Sequence, residues 1–178
     1  MEILSLRPSV TREEAIAQLR GGVLGRLLGL EALRSVADVY VPFRLYRVEV
    51  RSGARPWTAW FAVDSVTGGL DPYQFDRPPG EAELLRVDTR NRPEPALAEA
   101  EAVRLLQDKL RRVVFQTGFF KVRDLRFDLE RVALDLHVPY WLGFYGAADA
   151  VRLRVLDGVR RRLEGGKARA LFEGWLAA

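Results

Sequence analysis

Apolar and polar positions along the chain follow two periods, and one extended pattern occurs twice. Tyr40-Val41-Pro42-Phe43-Arg44-Leu45 returns as His137-Val138-Pro139-Tyr140-Trp141-Leu142, each carrying Val-Pro-aromatic. In the first copy Val39, Val41, Phe43 and Leu45 alternate with Tyr40, Pro42 and Arg44, the period of a half-buried strand. The apolar phase then shifts to Val48 and Val50, which predicts a β-bulge near Tyr46-Arg47. Pro42 lacks a ladder donor and so favours an edge or bulged position. Ser52-Gly53 is a turn signal, and Trp57 to Val63 returns as the partner strand, closed by Asp64-Ser65-Val66-Thr67-Gly68-Gly69. In the second half Leu125, Phe127 and Leu129 alternate with charged residues, and Val132, Leu134, Leu136 and Val138 resume in the opposite phase. That predicts a turn or bulge near Glu130-Arg131. Gly143 to Asp149 makes the next turn, and Val151, Leu153 and Val155 form the return strand ending at Leu156-Asp157.

Helical periods precede both extended runs. Thr11-Arg12-Glu13-Glu14 has the spacing of a capping box, and Ala15, Ile16 and Leu19 follow on one face, with Val23, Leu27 and Leu28 extending it. Gly21, Gly22, Gly25 and Gly29 weaken that helix or let another backbone approach. They are not a phosphate loop, because Gly-x-Gly-x-x-Gly and Gly-Lys-Ser/Thr are both absent. The second helix carries Leu97, Val103, Leu106, Leu110, Val113 and Val114 on its apolar face. A final helix, Lys167 to Leu176, places Ala168, Leu171, Phe172, Trp175 and Leu176 on one side.

The fold these elements predict is α+β: a duplicated helix plus antiparallel β-hairpin unit forming one pseudo-symmetric domain. Residues 1–76 are the first repeat, 77–95 a Pro-rich linker with a short strand at Leu84 to Val87, and 96–178 the second repeat with an extra strand and a C-terminal helix. A unit of this size struggles to bury a core alone, so the two pack together. An uncapped sheet edge offers a route to a homodimer.

The helix at Thr11 to Leu19 and the hairpin from Val39 to Gly68, ending Val63-Asp64-Ser65-Val66-Thr67-Gly68, resemble a PepSY-type module. The resemblance covers about a third of the chain, and the second copy departs from it, since Asp157-Gly158-Val159-Arg160-Arg161 lacks the Thr-Gly. It implies an early helix packed on a short antiparallel sheet, and a binding or inhibitory module without catalysis of its own. Members of that family are usually exported or membrane-anchored, which this sequence does not match.

Composition narrows the function classes. The chain has no cysteine, which excludes disulfides, thiolate metal sites and thiol nucleophiles. With 48% hydrophobic and 29% charged residues it reads as a globular chain. Neither a signal peptide nor an apolar run of the ~20 residues that span a bilayer is present, so the expected compartment is the cytoplasm. The formal charge of +4 resides from Val151 onward, where seven basic residues face three acids. Arg152, Arg154, Arg160, Arg161 and Arg162 are therefore the candidates for contacting phosphates of a nucleic acid.

His137 is the sole histidine, so an acid–base or metal site must use it, with Asp135 on the same strand face as its natural orienter. Tyr40 occupies the matching place in the first copy, which favours a packing role. Asp64 and Asp157 recur at strand-to-turn junctions, where aspartate bonds the backbone a few residues on, a structural turn role. Tyr40, Arg44, His137 and Trp141 lie opposite the core phase and form an aromatic–basic patch for a partner if that face is uncovered. The sequence thus points to a non-catalytic protein-interaction or ligand-binding module without cofactor or metal. A nucleic-acid-associated protein is the alternative and an enzyme the third reading.

Overall fold

The computed structural model describes residues 1–21, 32–51, 56–116, 125–146 and 151–178. Seven strands form one sheet: β1 Glu2–Leu6, β2 Leu33–Arg51, β3 Trp57–Asp64, β4 Tyr73–Phe75, β5 Leu84–Asp88, β6 Arg126–Tyr145 and β7 Arg152–Asp157. Three helices are present among the described residues: α1 Arg12–Arg20, α2 Glu99–Gln116 and α3 Gly166–Ala177. The strand order is β4-β3-β2-β6-β1-β5, with β7 pairing β6 off that path.

The expected α+β domain of two helix-plus-hairpin units is not what forms. The protein is mostly β, and among the described residues seven strands stand against three helices. The expected short hairpin arms are instead the long strands β2 and β6, of 19 and 20 residues. In addition, Glu2–Leu6 is a strand, paired antiparallel with Leu84–Asp88 out of the Pro-rich stretch. Residues clustered by proximity fall into two compact units, and each draws on both halves of the sequence. The first comprises Met1–Val41, Glu81–Pro93 and His137–Ala178; the second comprises Pro42–Gly80 and Glu94–Leu136.

Neither expected irregularity in the long strands breaks them. From Phe43↔Asp64 to Val50↔Trp57 the β2–β3 ladder is paired residue for residue, so no bulge interrupts it at Tyr46-Arg47. The phase shift in the sequence has another cause. All residues from Val39 to Tyr46 are buried except Arg44, which is half-buried, so both faces of the strand are covered there. At its end only one face is, and Tyr46, Val48 and Val50 pack with Leu97, Ala102, Leu106 and Leu110 around α2. β6 runs through Glu130-Arg131 without a turn, and both residues are exposed where the apolar phase changes. Pro42 does not sit at an edge, since β2 lies between β3 and β6. It stands one residue before the ladder position Phe43↔Asp64, and its carbonyl accepts from the Ser65 amide at 2.9 Å. Pro139 repeats this beside Tyr140↔Asp157, accepting from the Gly158 amide at 2.9 Å.

In the first unit α1 begins with the capping box read from the sequence. Thr11 Oγ1 accepts from the Glu14 amide at 3.2 Å, and Glu14 Oε2 accepts from the Thr11 amide at 2.8 Å. The helix stops at Gly21, whose φ of +68° is a conformation that glycine takes without strain. Its expected continuation through Val23, Leu27 and Leu28, with Gly22, Gly25 and Gly29, lies outside the described residues. So do the Ser52-Gly53 turn and the turn at 147–149. Ala15 and Leu19 of α1 pack with Val10 and Leu156, and Trp141 covers the cluster. Ala168, Leu171 and Phe172 of α3 are buried, Phe172 against Tyr140 with ring centroids 5.5 Å apart. Trp175 is only half-buried and Leu176 is exposed, so the apolar stripe of the last helix is covered for its first two turns alone.

Candidate functional site

The residues singled out as an aromatic–basic patch do not present an open surface. Tyr40 and His137 are buried, at 9% and 8% exposure, and Arg44 and Trp141 are half-buried. His137 Nδ1 lies 3.3 Å from the Leu4 carbonyl, so that nitrogen carries the proton, while Asp135 is exposed. The Trp141 indole donates to the Val10 carbonyl at 3.2 Å. Burial, with Asp38 beside it, pushes the Tyr40 phenol up to about 12. In the second unit Arg44 Nε lies 3.7 Å from Glu99 Oε2, and Arg44 Nη1 is buried without a hydrogen-bond partner. Glu99 also accepts from the Tyr46 hydroxyl at 2.8 Å and from Arg131 at 3.3 Å.

The two aspartates close turns. Asp64 is fully buried, and its Oδ1 accepts from the amides of Thr67 and Gly68 at 2.8 Å each while Oδ2 accepts from Leu70 at 2.8 Å. Lys109 caps the Gly68 carbonyl of the same turn at 2.7 Å. Asp157, also fully buried, accepts from the amides of Val159 and Arg160 at 2.9 and 2.7 Å. Each carboxylate is thus enclosed by its own turn.

The arginine run splits in two. Arg160, Arg161 and Arg162 belong to the turn after β7 and are engaged with acids: Arg160 lies 4.0 Å from Asp157, Arg161 2.7 Å from Glu14, and Arg162 2.9 Å from Glu164. Arg161 also donates to the Ser9 carbonyl, and the Ser9 amide donates to the Gly158 carbonyl at 2.8 Å. This turn therefore fastens the segment before α1. Gly158 is required in it, since a Cβ there would stand 2.8 Å from the Pro139 carbonyl oxygen.

Arg152 and Arg154 have a different setting. Both line a cavity of about 320 Å³ with Tyr145, Val151, Leu153, Arg169 and Glu173. The β6–β7 register sets Arg152 opposite Tyr145 and Arg154 opposite Gly143. A Cβ on Gly143 would lie 3.1 Å from the tips of both Leu19 and Leu33, so the small residue lets α1 and β2 close over that position. Two pairs further along, the Arg154 guanidinium sits 5.1 Å from the centre of the Tyr145 ring, a cation–π contact. The Tyr145 hydroxyl donates to the Leu19 carbonyl, which fixes the ring. Burial raises the phenol above its ordinary range, and Arg154 partly counters this. From α3, Arg169 and Glu173 reach the same cavity one helical turn apart. Neither side chain has an ion pair or hydrogen bond among the described residues.

Three arginines and one glutamate thus line a small cavity beside the ring of Tyr145. Among the described residues no group of His, Asp or Glu is placed to hold a metal ion. No described helix is long and apolar enough to cross a membrane. The charge excess after Val151 signalled Arg152 and Arg154 in the sequence; Arg169 and Glu173 gave no separate signal, since only the fold brings α3 beside β7. No protein-family model, curated protein or solved structure matches this chain.

Proposed function

We propose that this protein is a non-catalytic ligand-binding module whose binding site is the cavity lined by Tyr145, Arg152, Arg154, Arg169 and Glu173. The observation that carries this reading is that three arginines and a glutamate from two separate elements line one cavity of about 320 Å³. That volume lies at the lower end of ligand pockets, which run from ~300 Å³ upward. The sole histidine supports a non-catalytic role, since it is buried against the Leu4 carbonyl and does not line the cavity. The PepSY-type resemblance implies the same class. A nucleic-acid reading is weaker, because Arg160, Arg161 and Arg162 hold the turn to Asp157, Glu14 and Glu164.

The test is a titration of the isotope-labelled full chain with small polar compounds of each charge class, following backbone amide resonances. Saturable shifts centred on Tyr145, Leu153, Arg154 and Glu173, with the compound recovered unchanged, are the expected result. Shifts centred elsewhere, or conversion of the compound, overturn the reading.

A further inference from the structure

Apart from the cavity, we infer that two copies of this chain pair antiparallel through the outer edge of β5, in the register that sets Arg86 of each copy opposite Asp88 of the other. β5 ends the sheet on one side, with β1 as its neighbour on the other. The β1–β5 ladder decides which of its backbone groups are spent. The Arg7 amide donates to the Glu83 carbonyl at 2.8 Å and the Thr89 amide to the Met1 carbonyl at 3.2 Å, with an unbroken register between them. Bonded residues alternate along an antiparallel strand, so Leu85 and Val87 bond β1 while Leu84, Arg86 and Asp88 turn their amides and carbonyls outward. One outward carbonyl is taken, since Leu84 accepts from the Arg7 side chain at 3.3 Å. The backbone groups of Arg86 and Asp88 have no partner among the described residues. Such an edge is a template for another strand.

A second copy fits this edge because Arg86-Val87-Asp88 is complementary to its own reverse. The two-fold axis of an antiparallel pair passes through one residue of β5. At Arg86 or Asp88 it sets like charges directly opposite, which is destabilising. At Leu84 or Leu85 it requires the Leu84 carbonyl that Arg7 already occupies. At Val87 each Arg86 faces an Asp88, each such pair exchanges both of its backbone bonds, and the two valines meet between them. Within one copy Arg86 also bonds Glu2 at 2.6 Å, and Asp88 pairs with the Met1 amine. These four groups are largely exposed, where an ion pair contributes little, so both side chains stay available to the second copy. Val87 is half-buried and Leu85 exposed. The sheet's other end, β4, offers a strand of only three residues. An overlap this short buries little area, so the dimer belongs to the weak, reversible class.

Sedimentation velocity of the full chain between about 5 and about 500 μM should show monomer giving way to dimer. Arg86→Glu and Asp88→Arg should each weaken dimerisation by about tenfold, because each turns both cross-strand pairs repulsive. An equimolar mixture of the two variants should recover it, since each supplies the charge that the other lacks, and recovery also shows that both remain folded. The register is tested by cross-linking, which a chain without cysteine makes specific. Val87→Cys should form a disulfide-linked dimer under mild oxidation, as residues facing each other in a non-hydrogen-bonded pair stand ~4.5 Å apart, within disulfide reach. Leu85→Cys, which faces Thr89 in this register, should not. A chain that stays monomeric over the whole range overturns the proposal. A dimer that neither charge reversal weakens overturns it too, because the contact then lies on another surface. Cross-linking of Leu85→Cys in preference to Val87→Cys overturns the register, and with it the Arg86–Asp88 pairing.

Discussion

The Arg161 guanidinium donates to the Glu14 carboxylate at 2.7 Å, joining the turn after β7 to the capping box of α1. Glu14 therefore serves two partners, the Thr11 amide and Arg161, and both favour its ionised form. The Thr11 amide has the larger effect, and together they hold the Glu14 carboxyl below its ordinary 4.5. A carboxylate whose pKa is depressed on folding adds stability above its unfolded pKa and loses it as pH falls through the folded value. Urea midpoints measured between neutral pH and pH 3 should thus fall more steeply for the parent than for Glu14→Gln. Parallel curves would show that the bridge contributes nothing.

Asp64 and Asp157 give a prediction about the folded core rather than the surface. Each is fully buried and accepts at least two backbone amides. Removing the acceptor strands buried donors at about 1–3 kcal/mol each, so Asp64→Ala and Asp157→Ala should each cost on the order of 3 kcal/mol or more. Asparagine retains one acceptor oxygen and should cost less at both places. Denaturant unfolding of the four variants checks this, and an alanine variant within 1 kcal/mol of the parent would refute the turn-closing role.

Those aspartates also show how far the sequence could be read. Their places were legible because an aspartate before Ser-x-Thr-Gly or Gly-x-Arg at the end of an apolar run has few other uses. The capping box at Thr11 was legible for the same reason, since its partners are three residues apart. The lengths of β2 and β6 were not. Where a strand is covered on both faces, alternation disappears, and the shift from Leu45 to Val48 looks like a bulge although the ladder is continuous. The candidate site was half legible: Arg152 and Arg154 stood out by charge, but their separation from Arg160 to Arg162 depends on a turn that spends the later guanidiniums on acids. Arg169 and Glu173 join the site only through the packing of α3, which no local pattern encodes.

Around Glu99 the structure separates two contributions that sequence patterning merges. Arg44 lies at 3.7 Å from Glu99 and buries Nη1 without a partner, whereas Tyr46 donates to Glu99 at 2.8 Å. Replacing Arg44 by methionine keeps the apolar stem and removes a poorly satisfied buried charge, while Glu99 retains Tyr46 and Arg131. Arg44→Met should therefore lie within about 1 kcal/mol of the parent or above it. Tyr46→Phe, which deletes the better bond, should cost about 1 kcal/mol. Equilibrium unfolding of both variants orders them, and an Arg44→Met loss exceeding that of Tyr46→Phe would contradict the assignment.

Tyr40 makes the alkaline counterpart. Burial is the main reason its phenol rises from 10.0 to about 12, and a hydrogen bond to Asp38 adds to it. The neutral phenol is favoured in the folded state, so the associated stability is fully present below pH 10 and is lost as pH rises from 10 towards 12. Because Asp38 is partly exposed, solvent screens the pair, and the loss attributable to Tyr40 should be on the order of 1 kcal/mol. Phenylalanine cannot ionise, so Tyr40→Phe should lose less stability than the parent between pH 9.5 and about 11.5, measured by urea unfolding. An identical loss in the two proteins would mean that other groups carry the alkaline transition and that Tyr40 ionises without opening the fold.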